Sequence, residues 1–252
     1  MQSKKRSEEI NCWMGCRTEV EIMTEEEIII QERDNTGSTW THNHFFDENG
    51  YLILKKLCVP EKLYQPLPKE RGCLRYFGNN QNDYVNLGVE NQVKGSLSRY
   101  YHPQYKDTHT RIRKILEGII HRNLYNTYYY DRFYFPGQQL DRHCDRPACE
   151  ISVSVNVSTN IETSWPIYIK TPDTYTDESK TKIKKEGNII PVILENGDGL
   201  LYKGCERPHW RDPMPGSFSQ LNGIDNLYYH QIFFHYVLQD GLRAHYAWDR
   251  IS

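Results

Sequence analysis

Between Asp107 and Leu124 the apolar residues Ile112, Ile115, Leu116, Ile119 and Ile120 return every three or four positions, and Arg111, Arg113, Lys114 and Arg122 fill the remaining face. A period near 3.6 predicts an amphipathic helix with one buried stripe and one solvated, charged side. Past this segment the period shortens to two. Tyr128 to Phe135 is aromatic almost throughout and closes on the turn-forming pair Pro136 and Gly137. Cys149, Ile151, Val153, Val155 and Val157 then alternate with Glu150, Ser152, Ser154, Asn156 and Ser158, which predicts a strand with a single buried face. Further short runs, Trp165 to Lys170, Asn188 to Leu194, Leu200 to Lys203 and Tyr228 to Leu238, are parted by Gly, Pro, Asn and Asp, and the lysine-rich stretch from Asp173 to Gly187 reads as a surface hairpin or loop. Many short strands at this spacing predict a mainly β chain with flanking helices, a sandwich or jelly roll.

The first hundred residues are less regular. Thr24 and Glu27 stand in capping-box spacing ahead of Ile28, Ile29 and Ile30, predicting a short helix. Asn49 and Gly50 turn the chain into Tyr51 to Leu54, a short buried strand, and Pro60 suits the first turn of a helix. The expected organisation is an N-terminal extension, residues 1–106, packed as a helical and strand cover on a β core of residues 107–252, within one compact domain; 252 residues suffice for a single core.

Charge narrows the partners. A net charge of −2 with 25% charged residues provides no field that would gather nucleic acid. The start, MQSKKRSEEI, has no apolar stretch behind its basic residues, and no segment approaches the roughly 20 apolar residues that span a bilayer. A soluble, unexported, cytoplasmic protein without nucleic-acid or membrane partners is expected. The seven cysteines form an odd set without paired CxxC spacing, so most are read as free thiols in a reducing compartment; Cys12 and Cys16, four apart, could bridge or bind a metal but read better as a solvated or half-buried pair. Only three alanines occur among abundant Tyr, Asn and Lys, which points to AT-rich coding of the kind found in a phage or marine microbe.

The chemistry concentrates at His143, Asp145 and His209. Residues two apart share a side in extended backbone but diverge by about 200° on a helix, so His143 and Asp145 can chelate one ion only from a strand or extended turn. GQQLDRHCDRP follows an aromatic strand, which suits that placement, and His209 lies past an NGDG turn on a segment that a closed jelly roll brings alongside. Two histidines and a carboxylate occupy one face of a divalent metal and leave the other open. The blander reading is two polar surface residues and a separate hydrogen-bonded histidine. His42 and His44 are assigned to the surface. His230 and His235 fall on alternate faces of their strand, so at most one can point toward the site, and each is read as structural. The tyrosine-rich run from Tyr125 to Tyr134 could stack bases but reads better as sheet packing.

Taken in order, the helix, the aromatic strand, YFPGQQLDRHCD, the alternating strand, NGDGLLY, HWR and the closing strand resemble the Fe(II)/2-oxoglutarate-dependent dioxygenases, in particular the prolyl 4-hydroxylase-like branch, over roughly residues 107 to 240 and more loosely FDENGYLIL near 45 to 54. The resemblance implies a double-stranded β-helix (jelly roll, cupin-like) over 107–252, with metal ligands at His143, Asp145 and His209 and Fe(II), 2-oxoglutarate and molecular oxygen as cofactor and cosubstrates. Tyr134, nine residues before the first histidine, would contact the cosubstrate. The activity implied is hydroxylation of a peptide (proline is the residue nominated) or small-molecule substrate, with release of succinate and CO2. One departure concerns the distal carboxylate of 2-oxoglutarate, which the family pairs with a Lys or Arg about ten residues after the distal histidine. Neither occurs from Asp212 to Leu242. Arg211 is the nearest substitute, sharing His209's face in extended backbone and able to bind a carboxylate bidentately; Lys170, Gln231 and His235 are the others. PMPGSFSQLNGIDN also lengthens the stretch before the closing strand, and TSWPI does not reproduce the family's glycine-rich strand.

Tyr134, Trp165, Tyr202 and Trp210 are nominated as walls of the site. Arg146, Trp165 and Trp210 are nominated as substrate contacts, with a salt-linked rim the alternative for Arg146 and Glu150, and residues 60 to 105 and 173 to 187 are nominated as lids. Two rival readings stay open: a cupin-like metal enzyme that uses the same three ligands without 2-oxoglutarate, and a metal-free jelly-roll binding module.

Overall fold

A computed structural model of the chain describes residues 19–21, 44–65, 73–76, 83–86, 92–216 and 227–247. In chain order the strands are β1 (Glu19–Glu21), β2 (Tyr51–Lys55), β3 (Cys73–Tyr76), β4 (Asp83–Asn86), β5 (Leu97–Tyr100), β6 (Leu124–Tyr134), β7 (Leu140–His143), β8 (Ile151–Thr159), β9 (Ile167–Lys170), β10 (Thr174–Tyr175), β11 (Ile183–Lys185), β12 (Ile189–Val192), β13 (Gly199–Tyr202), β14 (His209–Arg211) and β15 (Tyr229–Leu238). Seven strands form one sheet in the order β1-β2-β13-β8-β15-β6-β5, and four form a second in the order β12-β9-β14-β7. From β6 onward the chain is dealt between them: β6, β8, β13 and β15 to the larger, β7, β9, β12 and β14 to the smaller. That interleaving is the double-stranded β-helix, a jelly roll closed around an interior. β10 and β11 form the expected hairpin between β9 and β12, and β3 pairs with β4. The capping-box helix near Thr24, Cys12, Cys16 and His42 lie outside the described residues.

The N-terminal region is more than a cover. β2 lies beside β13, with Ile53 opposite Leu200, and β5 lies beside β6, with Leu97 opposite Phe133, so both extend the larger sheet. Residues 97–100 are thus sheet rather than lid. Among the described residues no helix is long and apolar enough to cross a membrane.

The amphipathic helix runs from Lys106 to Ile120 and buries Ile112, Ile115, Leu116, Ile119 and Ile120, joined by His109, which periodicity does not single out. Its stripe packs in one cluster with Val153, Val155, Ile232, Phe234 and Tyr236 on the outer face of the larger sheet. Here the expectation of a single buried face on β8 fails. Ser152 and Ser154 are 0% exposed and Asn156 1%, because the polar face looks into the interior between the two sheets rather than to solvent. Part of this polar lining finds local partners: Asn156 donates to the Leu194 carbonyl at 2.9 Å, and the Ser154 hydroxyl lies 3.4 Å from Tyr202 Oη.

On the outer face, Asp131 gathers Arg99, Tyr105 and His230. Arg99 Nε donates to Oδ1 at 3.0 Å, and the Tyr105 hydroxyl and His230 Nε2 donate to Oδ2 at 3.0 and 2.8 Å. Burial opposes ionisation of Asp131, but the His230 hydrogen bond and the Arg99 charge outweigh it and hold the carboxyl at about 2. A folded-state pKa below the ordinary 3.8 means that the stabilisation is present above about pH 4 and is lost as pH falls toward 2. Asp131→Asn leaves the Arg99 guanidinium buried beside a neutral group and is expected to cost about 3–5 kcal/mol at pH 7. Urea denaturation of both proteins across pH checks this, the gap closing as pH approaches 2.

Candidate metal centre

The register of the smaller sheet assembles the centre. His143 ends β7 and His209 opens β14, and the two are direct partners across the ladder. Asp145 lies two residues past His143; its backbone N–H donates to the Gly204 carbonyl at 2.8 Å, which fixes the extended turn after β7. Gly204 is required by close approach. A Cβ there would stand 2.2 Å from the Cys149 carbonyl oxygen and 2.5 Å from Asp145 Oδ2.

His143 Nε2 and His209 Nε2 each lie 3.5 Å from Asp145 Oδ1. Atoms that share an ion at about 2.0–2.2 Å stand roughly 3 to 3.5 Å apart, so the three side chains already have the spacing of a common ligand set. The ring orientations agree with this. Each imidazole donates Nδ1–H to the carbonyl two residues upstream, His143 to Asp141 at 2.7 Å and His209 to Arg207 at 3.0 Å, which turns both Nε2 atoms toward Asp145. Ser152 Oγ donates to Asp145 Oδ2 at 3.0 Å and orients the carboxylate. Burial opposes charge on Asp145, but His209 and His143 more than compensate and hold it ionised far below the usual carboxylate range. Exposure grades from His209, 3%, through Asp145, 12%, to His143, 25%, so the centre opens on the His143 side. There Gln92 Nε2 stands 2.9 Å from His143 Nε2 while Gln92 Oε1 accepts from Arg132 at 2.9 Å.

The inner face of the larger sheet supplies the walls. Tyr128, Tyr130, Arg132 and Tyr134 project inward from β6, and Gln231, Phe233 and His235 from β15, with Gln231 opposite Arg132 and Tyr229 opposite Tyr134. Arg211, 1% exposed, lies two residues along β14 from His209, both being buried while Trp210 between them is partly exposed. Its Nη1 donates to the Trp165 carbonyl at 2.6 Å and its Nη2 to Gln231 Oε1 at 3.0 Å, and the guanidinium lies 4.4 and 4.6 Å from the Trp165 and Tyr229 ring centroids. Arg211 Nε and Gln231 Nε2 are buried without a hydrogen-bond partner, and among the described residues no carboxylate pairs with Arg211. Tyr134 meets the Trp165 ring edge-on at 5.1 Å and accepts from Arg132 Nη1 at 3.2 Å.

Several nominated residues stand elsewhere. Trp210 projects from the opposite face of β14, stacking on Tyr168 at 5.5 Å under Arg142 at 4.8 Å, because a one-residue step along a strand reverses direction. Trp165 is 5% exposed, packed against Arg211 deep in the interior and not on an open rim. Lys170 pairs with Asp173 at 2.7 Å, and Glu150 pairs with Arg243 at 2.9 Å. Arg146 lies over the Tyr128 ring at 4.5 Å, and Tyr202 packs on His209 at 4.6 Å. His230 faces Asp131 on the outer side while His235 faces the centre, its Nδ1 2.9 Å from Ser152 Oγ. Sequence does not single out Arg132 or Gln92: a lone arginine within an aromatic run gives no spacing signal, although its place two before Tyr134 puts it on the same face.

No family model matches the chain. No curated protein matches it either. Among solved structures it is similar to a prolyl-4-hydroxylase from Pseudomonas putida, at a TM-score of 0.47 and 11% identity over 76% of this chain and 95% of that one. It is similar also to the non-haem α-ketoglutarate-dependent epimerase SnoN of nogalamycin biosynthesis, at 0.47 and 10% over 75% and 80%, and to an oxidoreductase of the 2OG-Fe(II) oxygenase family from Burkholderia pseudomallei, at 0.47 and 9% over 78% and 92%. These likenesses are loose; the strand order of this chain defines its double-stranded β-helix, and the side-chain geometry brings together three residues that could hold a metal ion.

Proposed function

We propose that this chain is an Fe(II)- and 2-oxoglutarate-dependent oxygenase that hydroxylates a peptide or small-molecule substrate. The single observation that carries the reading is the pair of imidazole Nε2 atoms converging on one ionised carboxylate oxygen, at 3.5 Å each, inside a jelly roll that also encloses an arginine with no acidic partner among the described residues. Two neutral nitrogens and one anionic oxygen on one side of an ion suit iron(II) with open positions opposite. Bound iron would supply the activation of oxygen and the oxidative decarboxylation of the keto acid.

The protein's own residues would do the rest. Two residues of strand advance about 7 Å, a span that a five-carbon dicarboxylate bridges when one end is at the metal. Arg211, with its buried Nε–H and the Gln231 amide beside it, would receive the distal carboxylate, and the Tyr134 hydroxyl would stand next to it. Trp165, Tyr229 and Met214 close that end against water. On the open side Gln92 would withdraw from His143 Nε2, where it stands in place of an ion, and Arg146 at the rim over Tyr128 would meet the substrate. Peptidyl proline is the first substrate class to screen.

Anaerobic addition of Fe(II) and 2-oxoglutarate is expected to give a weak visible charge-transfer band, and admission of air is expected to release succinate. No band and no succinate would overturn the reading. Turnover that ignores 2-oxoglutarate would select the cupin-like alternative.

A further inference from the structure

A second set of ligand-bearing side chains adjoins the first. We propose that Asp145, Cys149 and His235 form a distinct cation site for a soft or borderline ion such as zinc, sharing Asp145 with the His143–His209 centre. One ligand atom from each of the three residues lies within 4.8 Å of the others, and Cys149 and His235 are each 2% exposed.

The two oxygens of the shared carboxylate have different neighbours. Oδ1 faces His143 and His209, while Oδ2 faces Ser152, whose hydroxyl also reaches His235 Nδ1 at 2.9 Å and the Cys149 carbonyl at 3.2 Å. Ser152 therefore holds Asp145 and His235 on a common side, where β8, β15 and the turn of Pro147–Cys149 meet. Each backbone is fixed independently: Cys149 N–H donates to the Arg146 carbonyl at 2.9 Å, and Ser152 and His235 are direct partners across the ladder.

Donor chemistry separates the ions that the two sets favour. A thiolate with an imidazole and a carboxylate selects zinc, cobalt or copper(I) over the harder ions that an N,N,O face accepts. The Cys149 thiolate adds a second negative charge to the carboxylate that the two sets share, the thiol proton leaving to solvent on binding. Tyr128 Oη, 3.2 Å from Cys149 Sγ, is placed to donate to the resulting thiolate, the outer-shell contact that metal-bound sulfur needs. Three protein donors leave one tetrahedral position open.

Cobalt(II) is the probe. Titrated anaerobically into the full chain, it is expected to bind in two equivalents, one of them accompanied by a thiolate-to-cobalt charge-transfer band in the near ultraviolet that zinc then bleaches. Cys149→Ser should remove that band and one equivalent, and His235→Asn should weaken both, while Cys144→Ser, which alters an exposed thiol, keeps them. His143→Ala should lose the other equivalent and retain the band, so the proposal is tested even if the first centre takes no metal. Far-ultraviolet circular dichroism confirms that each variant is folded. A folded wild type that binds cobalt without a thiolate band, or a band that survives Cys149→Ser, would overturn the site.

Discussion

Asp145→Ala is expected to abolish iron binding at the centre and, with it, all succinate formation. The carboxylate is the only anion in its set, and each of its neighbours offers a neutral nitrogen whose direction is already fixed by a backbone carbonyl. Removing a residue that merely orients a ligand costs about 10–100-fold in metal affinity, so removing the anionic ligand itself should cost more than about 100-fold. The fold should survive, because Asp145 sits in a turn after β7 and its backbone bond to Gly204 does not involve the side chain. Asp141→Asn provides the control: that carboxylate is exposed, its side chain touches Gln139, and the oxygen His143 uses is the main-chain one. Isothermal titration with Fe(II) under argon reads both variants. Unchanged affinity in Asp145→Ala would remove the carboxylate from the ligand set.

Arg211→Met should separate cosubstrate binding from metal binding. A charge-assisted hydrogen bond is worth about 1.5–3 kcal/mol, so the KM for 2-oxoglutarate is expected to rise roughly 10- to 100-fold while Fe(II) affinity holds. A thermal readout gives the same answer without turnover. Ligand at about 100 times Kd stabilises by about 2.7 kcal/mol, which for a chain of this size shifts Tm by roughly 5–10 °C. In the presence of a redox-inert divalent metal, 2-oxoglutarate should therefore raise the melting temperature of the wild type and scarcely move that of Arg211→Met. Succinate, which keeps a distal carboxylate but has no keto group to chelate, should give a smaller shift in the wild type. An equal 2-oxoglutarate shift in both proteins would place the anchor elsewhere, with Arg132 the next buried guanidinium on the inner face.

Much of this architecture is legible in sequence because it rests on period and spacing. Alternation from Cys149 to Val157 marks β8, the stripe from Ile112 to Ile120 marks the helix, and the two-residue step from His143 to Asp145 requires extended backbone. What escapes is whatever depends on which face is enclosed. Ser152, Ser154 and Asn156 read as solvent-facing, since polarity alone cannot distinguish bulk water from a polar interior. Trp210, expected as a wall and a substrate contact, is turned outward by strand alternation. Alternation makes Cys149 the first residue of the strand, but it lies in the turn before β8, beside Tyr128 and Asp145. The sheet roles of β2 and β5 were hidden too: each is only four or five residues long, and its partners, β13 and β6, lie far along the chain or across the long helix.

The central claim is that one iron takes both imidazoles and the intervening carboxylate. An iron-edge X-ray absorption spectrum of the anaerobic Fe(II) protein reads that shell directly. Two imidazole rings with light-atom neighbours and no sulfur are expected, falling to one ring in His209→Ala. A single ring in the wild type, or a sulfur neighbour that marks Cys149 as a ligand, would contradict it.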